Sequence, residues 1–192
     1  MKTIIYMVRH AESPYTEGNE RTRGLTAKGK ADVERVTEIL KVEGIELIIS
    51  SPYNRAILSI EGLAQYLGLE IKTFEDLREL HFAGEDYIIE NVELMSKLRE
   101  KFNDPEYCLP GGESNSECQK RSIEVIKTIL KVHAGKRIAM GTHGLVMTLM
   151  MNYFDSNYDL DFFNQLKKPD IYKMHFEDLE LKEVTRMMNS IG

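Results

Sequence analysis

The chain has 192 residues, of which 42% are hydrophobic and 29% charged, with a formal net charge of −6. That length suits one domain with a real core, and the balance excludes a disordered chain. No basic block is longer than Lys167-Lys168, so a nucleic-acid surface, which depends on clustered positive charge, is not expected.

Cys108 and Cys118 are too few for a disulfide framework and match no zinc spacing, so both read as free thiols in a reducing compartment. The first apolar run is only five residues long before Arg9 interrupts it. Such a run is too short for a secretory core or a bilayer span, which makes the cytoplasm the expected location, without membrane attachment.

Ile4 to Val8 is nearly continuously apolar, the pattern of a strand buried on both faces. Val33, Val36, Ile39 and Leu40 then mark one face of a helix, and Gly44 breaks it. A second buried strand is expected over Glu46–Ser50. Ser51 as N-cap and Pro52 at the first helical position predict the next helix. Its stripe is Ala56, Ile57, Ile60, Leu63, Ala64 and Leu67, with Gly68 as the stop. A short strand over Leu69–Phe74 completes a β-α-β-α-β order, which predicts a parallel sheet with helices on both faces.

The pattern weakens from Glu75 to Gly112, where one helix is expected from about Ile89 to Phe102. Ser114-Asn115-Ser116-Glu117 has the form of a capping box and opens a helix that turns Ile123, Ile126, Ile129 and Leu130 inward. A strand over Arg137–Gly141 and a short helix over Leu145–Asn152 follow. The tail alternates weakly through Ile171, Lys173 and His175 and through Leu179, Leu181 and Val184, predicting two short edge strands. The ten methionines read as core filling. With no repeat or linker, residues 1–192 are expected to form one domain.

Two strands end in chemistry: the first in Arg9-His10, the later one in Thr142-His143-Gly144. In open sheets with helices on both faces, ligands bind outside the carboxyl ends of the strands. Arg9 interrupts a buried strand, where a charge is costly unless something pairs with it. The helix after His143 opens with N-terminal amides able to bind an anion. Arg55 lies in the first turn of a helix whose dipole favours an anion, so it needs a negative partner. Imidazole can attack phosphorus and guanidinium matches phosphate oxygens. Together these residues indicate an anionic, phosphorylated substrate.

The motifs resemble the histidine phosphatase superfamily, the phosphoglycerate mutase-like family. Arg9-His10-Ala11-Glu12 is similar to its opening Arg-His-Gly-Glu. Leu25-Thr26-Ala27-Lys28-Gly29, Ser50 through Ala56, Leu77-Arg78-Glu79, Pro110 through Ser114 and Thr142-His143-Gly144 follow in family order. The resemblance implies a three-layer α/β/α sandwich with a mostly parallel central sheet. It implies His10 as nucleophile, with Arg9, Arg55, His143 and Gly144 around the phosphoryl group and Glu79 as proton donor and acceptor. No metal or other cofactor is implied. Arg21, Arg23 and Ser13, in the loop after His10, are further candidates for substrate contact. His81 is a candidate on the cleft side but reads as solvated or structural. His133 and His175 read as structural, and Tyr53, Asn54 and Glu113 as scaffold.

Three departures bear on function. Ala11 replaces a glycine, which is tolerable only where φ is negative. Phe82-Ala83-Gly84-Glu85-Asp86 lacks the family's tryptophan. The loop after His10 is short, and the longer insertion of true mutases is missing. Phosphatase is therefore favoured over mutase, with a small phosphorylated molecule as substrate. The alternatives are a phosphohistidine or phosphoprotein phosphatase, or a silent phosphate-binding module. The oligomeric state is left open.

Overall fold

A computed structural model describes residues 1–84 and 90–188. Six strands form one sheet in the order β3-β2-β4-β1-β5-β6. They are β1 (Lys2–Arg9), β2 (Leu47–Ser50), β3 (Ile71–Thr73), β4 (Arg137–Thr142), β5 (Asp170–Glu177) and β6 (Glu180–Arg186). The first four run parallel, while β5 is antiparallel to β1 and β6 to β5. The mostly parallel α/β fold expected from the sequence is therefore present.

Alternate residues of each central strand enter opposite layers, as the period of two requires. Ile5 and Met7 of β1 and Ile138 and Met140 of β4 pack with Ile126 and Ile129 of α4 (Asn115–Val132) and Val146 and Met150 of α5 (Gly144–Phe154). Ile4, Tyr6 and Val8 face the other way, onto Val36 and Leu40 of α1 (Ala27–Leu40) and Ile60 and Leu63 of α2 (Asn54–Leu67). Each such isoleucine or leucine contributes about 1.5–3 kcal/mol on burial, so the centre of the sheet is its most strongly held part.

Helix ends follow local chemistry. The Thr26 hydroxyl caps α1 by accepting from Gly29 N–H at 3.0 Å. Gly68 closes α2 at φ 65°, a left-handed stop that glycine adopts without steric cost. The Ser114–Glu117 capping box forms reciprocally, at 3.1 and 2.8 Å.

Several expectations need correction. α2 begins at Asn54 after Tyr53, not at Pro52 after Ser51. The Ser51 hydroxyl instead accepts from Tyr53 N–H and meets His143, so it serves the site edge rather than the helix. β3 covers only Ile71–Thr73, because Leu69 N–H is still closing α2 onto Ala64. The helix α3 runs over Asn91–Asn103, and the predicted start at Ile89 falls outside the described residues. α5 spans eleven residues rather than eight. β5 is an interior strand between β1 and β6, buried along most of its length, so of these two strands β6 alone lies at an edge. A 3-10 turn at Glu75–Leu77 and a six-residue helix α6 (Leu160–Gln165), capped by Asp159, had no sequence expectation. Among the described residues no helix is long and apolar enough to cross a membrane.

Candidate active site

β1 and β4 lie side by side with Arg9 opposite Thr142. His10 N–H continues the ladder to the Thr142 carbonyl at 3.0 Å, so the pairing itself brings His10 and His143 together. Their ring centroids are 5.3 Å apart. Ala11, next in line, has no positive φ, since Asp178 alone among described non-glycine residues does; the alanine costs the turn nothing.

The His10 ring is oriented by a bond between Nδ1 and the Ala11 carbonyl at 2.7 Å. A carbonyl only accepts, so Nδ1 carries the proton and Nε2 keeps its lone pair. Arg55 Nε donates toward that Nε2 at 3.3 Å. Burial pushes the His10 imidazole well below the ordinary value of 6.5, and Arg55 and Arg9 push the same way. His143 is fully buried, with Nε2 bonded to the Ser51 hydroxyl at 2.7 Å. Burial, then the charges of His10 and Arg55, hold it well below 6.5 too. Near neutral pH both rings are uncharged, which suits a nitrogen nucleophile.

That neutrality has a stability consequence. Between their lowered folded values and 6.5 these histidines bind protons in the unfolded chain but not in the folded one. Stability is therefore full above 6.5 and falls as the pH drops, by up to about 1.4 kcal/mol per histidine per pH unit. Calorimetry from about pH 7.5 to about pH 5.5 should show a falling Tm, with a shallower slope in His10→Asn. A flat wild-type profile would mean that the rings are not buried neutral.

Arg55, only 1% exposed, enters from the first turn of α2. Its guanidinium lies over the Tyr53 ring at 5.1 Å, and that ring also meets His143 edge-on. Arg9 donates to the Leu166 carbonyl at 2.9 Å and lies over Phe163. Burial lowers the proton affinity of both arginines. Arg23 is buried under Tyr15, its guanidinium 4.6 Å from the ring centre. Arg9 Nε, Arg23 Nη1 and His143 Nδ1 are buried without a hydrogen-bond partner. Unpaired buried donors are costly, and a bound oxyanion would satisfy them.

Glu79 occupies the N-terminus of α5. Its carboxylate accepts from Val146 N–H at 2.9 Å, Leu145 N–H at 3.2 Å and its neighbour Leu80 N–H at 2.9 Å. The anion expected at those amides is thus a side chain of the protein, which corrects the expectation that they are open to a ligand. The segment carrying Glu79 is pinned from behind by Arg121, which donates to the carbonyls of Asp76, Arg78 and Glu79 and pairs with Glu113. Glu113 in turn accepts from His81 N–H at 2.9 Å.

These groups border one cavity of about 850 Å³ at the carboxyl edge of the sheet, bounded by Arg9, His10, Arg23, Arg55 and Glu79. Arg21 borders it too, though its guanidinium is paired with Glu75 in a two-pronged bridge, closest at 2.6 Å. Three candidates fall outside the lining, one of them His143, which is fully buried against the rings of His10 and Tyr53. The Ser13 hydroxyl donates to the Gly24 carbonyl at 2.6 Å and so holds the loop. Gly144 lies behind Arg9, where an added Cβ would come 2.8 Å from Nη2; it makes room for the guanidinium. Asn54 and Glu113 are scaffold as expected, whereas His81 borders the cavity. Tyr53, Glu20 and Lys168 also line it, and sequence reasoning missed all three. The signal for Tyr53 was its place next to Asn54-Arg55; for Glu20 and Lys168 there was none.

An α/β sheet with two histidines and three arginines at its carboxyl edge defines a phosphoryl-handling class of protein, and the comparisons agree. Residues 5–186 match the family model of the histidine phosphatase superfamily (branch 1); the chain belongs to that superfamily. It is 28% identical over 161 residues to a probable phosphoglycerate mutase GpmB of Salmonella paratyphi B, covering 77% of this chain and 73% of the relative. Among solved structures it superposes on Bacillus stearothermophilus YhfR with a TM-score of 0.77 at 22% identity, covering 94% of each chain. A mycobacterial glucosyl-3-phosphoglycerate phosphatase gives 0.77 at 16%, covering 97% of each. A phosphoserine phosphatase of Entamoeba histolytica, solved with 3-phosphoglyceric acid, gives 0.77 at 17%, covering 97% of this chain and 98% of the other. At such identities these structures speak for the fold.

Proposed function

We propose that the protein hydrolyses phosphomonoesters through a phosphohistidine on His10. The observation that carries this reading is the buried, neutral His10 ring, whose unprotonated Nε2 faces Arg55 Nε at 3.3 Å beside a cavity lined by Arg9, Arg55 and Arg23. Nε2 attacks phosphorus and forms a P–N bond while the ester P–O bond breaks. The departing oxygen takes a proton from Glu79, which enters this step as the neutral carboxylic acid rather than as the resting carboxylate. Water then attacks the same phosphorus and gives its proton to Glu79, and the P–N bond breaks, returning its electron pair to Nε2. The arginines neutralise the phosphoryl oxygens throughout, as positioned charge does in phosphoryl transfer, with the uncharged His143 ring as a hydrogen-bond donor.

The name of the Salmonella relative favours a second reading, a mutase that returns the phosphoryl group to the product. Such an enzyme must shield its phosphohistidine from water. Here Tyr15 at the cavity rim is 74% exposed and Leu94 38% exposed, so water has access and hydrolysis is preferred. Following release of inorganic phosphate from phosphate esters, against interconversion of phosphoglycerates, separates the two.

Arg55 offers a sharper test of the site. Arg55→Lys keeps the charge but loses the fork that reaches His10 and the cavity together. Turnover of nitrophenyl phosphate should fall about 100-fold or more, with unchanged circular dichroism. Wild-type kinetics would leave Arg55 as a helix residue only.

A further inference from the structure

The phosphoryl-binding arginines already hold an anion. The loop after His10 returns across the sheet edge and lays the Glu20 carboxylate 2.9 Å from Arg55 Nη2 and 3.1 Å from Arg23 Nε, with a second Arg23 contact at 3.3 Å. The Glu20 backbone carbonyl accepts from Arg55 Nη1 as well. The turn that presents Glu20 is built for the purpose. The Asn19 side chain accepts from Arg21 N–H at 2.9 Å and Thr22 N–H at 3.0 Å, and the Asn19 carbonyl accepts from Arg23 N–H at 3.0 Å. Glu20 itself is 59% exposed, so its side chain can swing out without opening the core. Arg21 does not compete for it, being paired with Glu75.

We propose that Glu20 is an internal competitor for the phosphoryl site, which substrate displaces and whose return helps phosphate leave. This rests on reading the cavity as a phosphomonoester site. A carboxylate with one charge and two oxygens sits where a phosphoryl group would bring two charges and three oxygens. Both cannot occupy the arginines without like-charge repulsion at hydrogen-bond distance. The tether gives Glu20 a high effective concentration that a free monoanion cannot match. A phosphate monoester dianion can displace it, whereas carboxylates and other single charges cannot. Glu20 is therefore a specificity-determining residue, and it limits how tightly the product is retained.

Calorimetric titration of inorganic phosphate into wild type, Glu20→Gln and Glu20→Ala tests this directly. When the open site is populated only a fraction of the time, apparent affinity falls by that fraction, so both variants should bind phosphate about five- to tenfold more tightly. The inhibition constant of phosphate against nitrophenyl phosphate should fall in step, and acetate should inhibit the variants but not wild type. Unchanged or weaker phosphate binding in both variants would overturn the proposal and make Glu20 a brace for the arginines. Tighter phosphate binding with no ester hydrolysis would sustain the competitor and overturn the hydrolytic reading. His10-dependent hydrolysis with unaltered phosphate affinity would do the reverse.

Discussion

His10→Ala should abolish turnover, with a loss of about three orders of magnitude or more, because the variant lacks the nitrogen that forms the covalent intermediate. Rapid quenching of the wild-type protein during turnover should trap phosphate that is acid-labile and base-stable and maps to His10. The variant should trap none. Its fold should survive, because the β1–β4 pairing at this point runs through the His10 backbone N–H and not through the ring. Arg9, Arg55 and Arg23 remain, so inorganic phosphate should still bind. Full activity in the variant, or label on His143 instead, would remove the proposed mechanism.

Glu79→Gln should have the second-largest effect, and its size should depend on the leaving group. Proton donation matters in proportion to how basic the departing oxygen is. An alkyl ester leaves as a strongly basic alkoxide, so phosphoenzyme formation from it should slow by about 100- to 10,000-fold. Nitrophenolate departs unaided, and its release should change far less. Dephosphorylation should slow for both, since the same carboxylate activates the water. Glutamine also brings its amide against the N–H groups of Leu80, Leu145 and Val146, which the carboxylate satisfies with two oxygens. A loss of positioning from that mismatch would slow both esters equally. Equal losses in stopped-flow bursts would assign Glu79 to positioning and leave the proton donor unidentified.

Much of this arrangement was legible in the chain. β1, β2 and β4 are short, nearly unbroken apolar runs because both of their faces are covered, and the charge that ends β1 announced the site. His10, Arg55 and His143 were readable because each sits at a fixed offset from an element end. β5 was misread because Lys173 and His175 break its apolar run; Lys173 keeps its stem in the sheet and sends its ammonium to Glu43 at 2.8 Å. α6 is too short for periodicity, with Phe162 and Phe163 adjacent in sequence. Glu20 and Lys168 were hidden for another reason: their roles come from the path of loops, which no local pattern encodes. The region around Glu79 lay in between. Its motif was visible, but the Arg121–Glu113 bracing arrives from a helix some forty residues away.

The pairing of β1 with β4 divides the cavity into two parts with different thermodynamic ownership. The histidines and Arg55 hang from the buried centre of the sheet and the helix packed on it, the kind of element whose opening requires global unfolding. The rim belongs to the 11–24 loop, α3 and the turn around Lys168, where solvent-exposed backbone breaks and re-forms locally. Substitutions on the rim therefore draw little on global stability, whereas any change beneath the two histidines draws on all of it. A fold partitioned in this way can keep one phosphoryl chemistry fixed while its rim is rewritten for new leaving groups, each trial costing almost nothing in foldedness.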